Sequence, residues 1–412
     1  MVSTDTWQEM YTVRKHEYGA GLDGASMTIV TGLSGNEMYC LHAKGFAPGE
    51  LVVGNSVHSI GFAGGIGAGI KTLTGGEVEQ VTSIVHEGRQ AAIERLMREA
   101  KNCGATGITG MNSELVWQGG NVEFLSIGNC VHHDGQKSTE PLFSSSADGQ
   151  ELFCQIDAGF TPMKFVFGNV AYSIRVGGGI MGGLKSLARG EVKEFSDVFN
   201  ETRHRALWRI TEEASQAGAN AVVGIKTNIL PLSGMQEMVM VGTASRHAAF
   251  EQLSRKQPIT SDLTNEEMWN VIKMGYFPIQ LVLGVSVYSL GFVGSIRSAF
   301  KSLARGEITE MSTLIYEARE NAIKRVKADA ELCGADDVVG VKTYVYQLSN
   351  GLIEFMAIGT AVRKMTGLTT QSEQLPPQAV IADKDTFINI ADRRMATDLN
   401  RSMSTQTTGG AS

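Results

Sequence analysis

KSLARGE stands at Lys185–Glu191 and again, letter for letter, at Lys301–Glu307, with a looser copy, KTLTGGE, at Lys71–Glu77. Seven letters recurring in a chain of ordinary composition indicate a copied unit. The shared glutamates give its length: 114 residues from Glu77 to Glu191 and 116 from Glu191 to Glu307. The correspondence reaches well outside the phrase. Upstream, each copy opens with a capping box, in which a side-chain acceptor caps helix amides and a Glu three residues on reaches back. The pairs are Ser34 with Glu37, Asp148 with Glu151, and Thr264 with Glu267. Eleven residues after each cap stands Gly45, Gly159 or Gly275, suited to a helix C′ position that needs positive φ. Pro48, Pro162 and Pro278 follow three residues later. A short capped helix with a firm stop is therefore expected at the head of each copy.

Next come LVVG (Leu51–Gly54), FVFG (Phe165–Gly168) and LVLG (Leu281–Gly284), continuous apolar runs that predict strands buried on both faces. Downstream of the phrase a long helix is expected. In the third copy Ile308, Met311, Leu314, Ile315, Ala318, Ala322, Val326 and Ala330 form a stripe at helical spacing. Gly104, Gly218 and Gly334 end these helices. VVGIKTNIL (Val222–Leu230) and MVMVGTAS (Met238–Ser245) then read as a hairpin, as do VVGVKTYVY and LIEFMAIGTAV in the third copy. The fold class is α+β: three tandem β-α-β-β modules, each preceded by a short capped helix.

Ala318–Tyr346 and Thr202–Ile229 carry AREN, AGANAVVGIKT and CGADDVVGVKT. These segments resemble the YbjQ family, labelled a heavy-metal-binding domain. The first copy (CGATGITGMNSEL, SIGNCV) resembles it less closely. The resemblance implies dodecin-like modules and ring-shaped, typically pentameric oligomers. On that basis the chain divides into an N-terminal segment (1–33), module 1 (34–131), a linker (132–147), module 2 (148–246), a linker (247–263), module 3 (264–364) and a partly disordered C-terminal tail (365–412). The two linkers are polar and long enough to let modules sit in different rings.

An oligomer is expected on physical grounds as well. One helix covers one face of a three-stranded sheet, and a module of about 100 residues gains little from its own core. A partner sheet, from a neighbouring repeat or another chain, should cover the other face.

The family label prompts a search for metal ligands, and a ligand set used by every module should recur in every module. Cys40 and Cys154 face Asn270 in the third copy, and Cys103 and Cys333 face Ala217 in the second. The nearest approach to a cluster is Cys130, His132 and His133. Cys130 and His132, two apart, would share a strand face, but two ligands do not make a closed zinc site. Exposed linker histidines are the plainer reading. GGIGAGIKT (Gly64–Thr72) lacks the Gly-Lys-Thr of a P-loop, because Ile70 intervenes. No cofactor is implied.

What recurs in all three copies is charged. Lys71, Lys185 and Lys301 match, as do Glu87, Glu201 and Glu317. So do Arg89, Arg203 and Arg319, and Arg95, Arg209 and Arg325, with Glu99, Glu213 or Asp329 four residues beyond the last set. Two readings stand open: a solvated helix face with i,i+4 pairs, or a repeated module–module contact in which a planar guanidinium meets a neighbour's carboxylate. The phrase's own glutamate is expected in the first turn of the long helix, at the positive end of its dipole. Its lysine is expected to meet an acid on a neighbouring module.

The net charge of −7 argues against a nucleic-acid-binding surface. The opening MVSTDTWQEM is not a secretory signal, and no apolar run reaches the roughly 18 residues that span a bilayer. Five cysteines fit a reduced, cytoplasmic chain without membrane insertion. The functional expectation is a non-enzymatic protein that assembles with itself into a ring, stack or cage, with room for a cargo the sequence does not name. The alternative is a binding protein for a metal or small ligand at module interfaces. An enzyme is disfavoured, since no repeated His, Ser or Cys nucleophile accompanies the conserved-register Glu.

Overall fold

The computed structural model describes residues 28–59, 76–118, 121–133, 138–139, 141–173, 190–232, 235–251, 257–289, 309–348 and 352–376. From Thr31 onward these form one compact unit. Module 1 contains α1 (Gly35–His42), β1 (Phe46–His58), β2 (Gly76–Glu77), α2 (Glu79–Asn102), β3 (Gly107–Gln118) and β4 (Asn121–His133). After β5 (Phe143–Ser144), module 2 repeats the order with α3 (Gly149–Asp157), β6 (Thr161–Ser173), β7 (Gly190–Glu191), α4 (Lys193–Gln216), β8 (Ala221–Leu232) and β9 (Met235–Arg246). The turn α5 (Ala248–Glu251) and β10 (Ile259–Thr260) lead to module 3: α6 (Asn265–Lys273), β11 (Tyr276–Ser289), α7 (Thr309–Leu332), β12 (Asp337–Gln347) and β13 (Leu352–Lys364). This is a mixed α+β fold of three β-α-β-β repeats.

The local signals act as their chemistry requires. All three capping boxes are present. Gly45, Gly159 and Gly275 sit at φ of 80°, 90° and 77° and end the short helices. In each module the last strand lies between the first and the middle one, all antiparallel.

The sheets are not self-contained. β2 precedes the long helix of module 1, yet it pairs with β6 of module 2, and β7 pairs with β11 of module 3. On the opposite edge, β5 and β10 add parallel strands to β3 and β8. The connectors thus carry docked segments, and they tie consecutive modules together rather than letting them part. Ser146 N–H donates to Thr243 Oγ1 at 3.0 Å, and Asp262 N–H to Thr360 Oγ1 at 3.1 Å. The start of the tail is docked too: Ser372 donates both its N–H and its hydroxyl to the buried Asp157.

Each long helix has two working faces. On α4, Ala206, Ile210 and Ala214 are fully buried. The helix there lies directly on Gly168 of its own module: a Cβ at that glycine would sit 2.2 Å from Ala206 O and 2.6 Å from Ile210 N. The equivalent Gly54 and Gly284 are crossed by α2 and α7 just as closely. This explains the glycine that closes each apolar run.

The second face of α4, bearing Phe195, Phe199 and Leu207, joins Leu281, Leu283, Val285 and Val287 of module 3 in one buried cluster. The outer face of a sheet is therefore covered by the preceding module's helix, not by a second sheet. Burial on both faces holds for FVFG and LVLG. It fails for the first copy, where Val53 is 42% exposed and no helix among the described residues takes the place that the preceding module's helix takes over FVFG and LVLG.

Gly168→Ala should lower the stability of the chain by about 1–3 kcal/mol, since the helix must lift off the strand. Gly35→Ala, at a site with nothing within 4 Å, should be near neutral. Urea unfolding of both variants measures the contrast, and equal effects would contradict the direct helix–strand contact.

Candidate inter-module interface

Four residues along α4 from Phe199, on the face turned to module 3, stands Arg203. Its side chain is 0% exposed, as is that of Glu354 on β13. Arg203 Nε donates to Glu354 Oε1 at 3.1 Å, and Nη2 donates to Oε1 and Oε2 at 2.8 and 2.9 Å. Nη2 also donates to Tyr172 Oη at 2.6 Å, and the guanidinium lies 4.1 Å from that ring. Burial pushes the Tyr172 phenol well above its ordinary range, so it remains a neutral hydroxyl.

The same joint occurs one module earlier. Arg89 on α2 donates from Nε and Nη2 to Glu237 of β9 at 3.0 and 2.7 Å, a fork-to-fork pair with both side chains 0% exposed. Its Nη1 donates to Ser113 O and Oγ. Removing two charges from water costs several kcal/mol per ion, and bidentate geometry with further hydrogen bonds is what offsets the cost.

Backbone bonds complete each joint. Val78 N–H donates to Ala171 O and Val192 N–H to Val287 O, both at 2.8 Å. In return Ala171 N–H donates to Thr82 Oγ1 and Val287 N–H to Ser196 Oγ. The edge strand of the next module thus finds partners on the helix that covers it.

Glu77 and Glu191 belong to this seam rather than to a helix first turn. They sit on β2 and β7, and the helices begin two residues later after Val78 and Val192. The extended backbone there makes the inter-module bridges, which a helical turn would forbid. Glu77 accepts from Arg205 Nη1 at 2.9 Å and lies 2.7 Å from Arg209 Nη2. Glu191 lies 3.6 Å from Arg325 Nη2, which also bonds Asp197 at 2.8 Å. Lys71, Lys185 and Lys301, with Glu307, fall outside the described residues.

The other repeated charges divide. Arg95 donates to the Asn55 carbonyl of its own module. Glu99, Glu213 and Asp329 do not serve as i,i+4 partners of these arginines: they accept from the Val53, Phe167 and Leu283 N–H groups. Glu87, Glu201 and Glu317 are exposed; Glu87 meets Ser83, and Glu201 meets Arg205 on its own helix. Arg319 is exposed. His204 on α4 reaches Asp329 of α7 at 3.4 Å. Burial opposes its charge, but the Asp329 carboxylate and the Asn200 carbonyl outweigh burial and raise its pKa.

Cys130, His132 and His133 lie on β4, so the histidines are strand residues and not linker residues; His132 is buried, at 8% exposed, while His133 is exposed. The Cys130 and His132 side chains flank Gly49, and His132 Nε2 stands 3.9 Å from Glu50 Oε2. His133 stacks edge-on with Phe46. Burial pushes the Cys130 thiol far up, as expected of a thiol packed in a core. Among the described residues no group of three or more His, Cys, Asp or Glu is placed to hold a metal ion. These residues do not fit a metal centre.

At the joint of modules 2 and 3 lies an open cleft of about 270 Å³, lined by Lys226, Thr227, Asp262, Lys342 and Tyr344 among others. Lys342 stands 3.5 Å from Asp262.

The family model described as "Putative heavy-metal-binding" matches three times, over residues 47–131, 160–248 and 276–365. The chain belongs to the YbjQ family. It is similar to the encapsulin nanocompartment protein Rv1762c of Mycobacterium tuberculosis, 31% identical over 215 residues that cover 50% of this chain and 79% of that protein. A UPF0145 protein of Pseudothermotoga lettingae is 43% identical over 83 residues, 20% of this chain and 78% of that protein. Another, from Methanosarcina acetivorans, is 46% identical over 70 residues, 17% of this chain and 66% of that one. No solved structure matches. Among the described residues no helix is long and apolar enough to cross a membrane.

Sequence reasoning singled out the arginines of these YbjQ joints but not their partners. Glu237 and Glu354 stand in register with Glu123, each the lone acid in an apolar strand: VEF, QEM and IEF. That recurrence was the available signal. Arg203→Met should cost about 3–5 kcal/mol by stranding a buried carboxylate. Adding Glu354→Leu should return most of the loss. Urea unfolding of the single and paired variants tests this, and a single-variant loss under about 1 kcal/mol would contradict it.

Proposed function

We propose that this chain is a non-enzymatic building block that assembles with copies of itself into a large closed particle of YbjQ modules in the cytoplasm, around a cargo or an empty interior. The observation that carries the reading is the repeated joint, in which Arg89 with Glu237 and Arg203 with Glu354 close one module on the next. A surface built to cover and be covered in series is the physical basis of an assembly. The similarity to a protein named as an encapsulin nanocompartment protein supports the same reading. So does the internal repetition, with the family matched three times along one chain. The ringlike, fivefold arrangement that the family resemblance implies is one form such a particle would take.

A second reading, a small-ligand site at a module joint, is favoured by the cleft between modules 2 and 3, where Lys226 and Lys342, paired with Glu151 and Asp262, offer both charges to a polar ligand. Metal binding has less support, given the donor set around Cys130 and His132. Light scattering of the purified full chain at micromolar concentration, with metal analysis of the same sample, tests the first reading. The expected particle is many times the 44.3 kDa chain mass and carries no stoichiometric metal. A monodisperse 44.3 kDa species would overturn it.

A further inference from the structure

The joint described above occurs twice within the chain, and among the described residues one half of it is uncovered on module 3 and the other half on module 1. On α7, Ile315 stands in register with Val85 and Phe199. Those two are 0% and 5% exposed, while Ile315 is 40% exposed. Arg319 is exposed where Arg89 and Arg203 are fully buried, and among the described residues no ion pair holds it. Ser312, in register with Thr82 and Ser196, is also exposed. The adjoining strand repeats the contrast: Val345 on β12 is 56% exposed, whereas its counterpart Leu115 on β3 is 8% exposed.

Module 1 shows the complementary exposure. Val53 and Val57 on β1 are 42% and 57% exposed, although their counterparts Phe167 and Ala171 lie under α2 at 1% and 0%. Glu123, in register with Glu237 and Glu354, is only half-buried and accepts a hydrogen bond from Asn55.

The geometry points to one occupant for both faces: a second copy of this chain, joined head to tail. We propose that α7 of one copy seats on the β1–β4 face of the next. Arg319 then pairs with Glu123 of the second copy, Ile315 covers its Val53 and Val57, and Ser312 accepts from its Val57 N–H. The argument is continuity with two equivalent joints already built, together with opposite charge at the matching positions. It rests on the self-assembly reading above and adds which surfaces meet. Because the two faces differ, the contact is heterologous, and repetition closes into a ring or runs on as a filament.

The test uses the full chain with Arg319→Glu, Glu123→Arg, and both together, read by mass photometry with circular dichroism as the folding control. Each single reversal should weaken association by roughly a hundredfold, and the paired reversal should regain it. Single variants that assemble as the wild type does would overturn the head-to-tail joint while leaving self-assembly intact. So would folded single variants that fall apart without recovery in the pair. A wild-type monomer would instead sink the assembly reading itself. If Glu123→Arg does not fold, a photo-cross-linking residue at position 315 of the otherwise unaltered chain decides the matter. A product of twice the chain mass, attached within residues 51–57 or 121–127, supports the proposal, and its attachment elsewhere overturns it.

Discussion

A guanidinium with none of its side chain exposed has lost the hydration of its charge, and only a carboxylate in bidentate register makes up the loss. Arg89 and Arg203 each have such a partner, and in both cases it comes from the following module, 148 and 151 residues away in the chain. Apolar side chains of similar volume would fill the same space without the desolvation cost. An ion pair additionally fixes one alignment of helix on sheet, because any slip by a residue leaves a buried charge unpaired. The pair is accordingly read as a register lock within a largely apolar contact of Phe195, Phe199 and Leu207 on the module 3 sheet.

Much else follows from placing one helix between two sheets. Toward its own sheet the helix turns Ala206, Ile210 and Ala214, with the backbone at Ala206 and Ile210 resting on Gly168. Toward the next sheet it has phenylalanines. The strand it covers next door would have orphan amides at Ala171 and Val287; Thr82 and Ser196 accept from them. The two-residue strands β2 and β7 exist for the same reason, extending the neighbour's sheet before the chain turns into the helix. Stability is consequently shared across modules rather than held within each.

The short helices were legible because their caps are local: Ser34 with Glu37 is a three-residue affair, and Gly45 stops the helix eleven residues on. The strands and long helices were legible from apolar spacing and from threefold repetition. Which surface covers which was not. Periodicity placed Arg203 on a helix face, but nothing local tells that its partner lies in β13. Glu191 misled for a related reason: a Glu two residues before a helix looks like a dipole-favouring residue until the neighbouring sheet is present to take it as a strand. The metal label likewise attached to Cys130 and His132, whose burial within β4 serves packing around Gly49.

The central claim is that neighbouring modules are one cooperative body closed by the buried pairs. Hydrogen exchange in graded urea, followed by mass spectrometry on the full chain, tests it most directly. Peptides spanning β6 and α4 of module 2 and β11 of module 3 should lose protection together, in one event. Separate opening of the two modules, with β11 still protected after β6 has exchanged, would contradict the account.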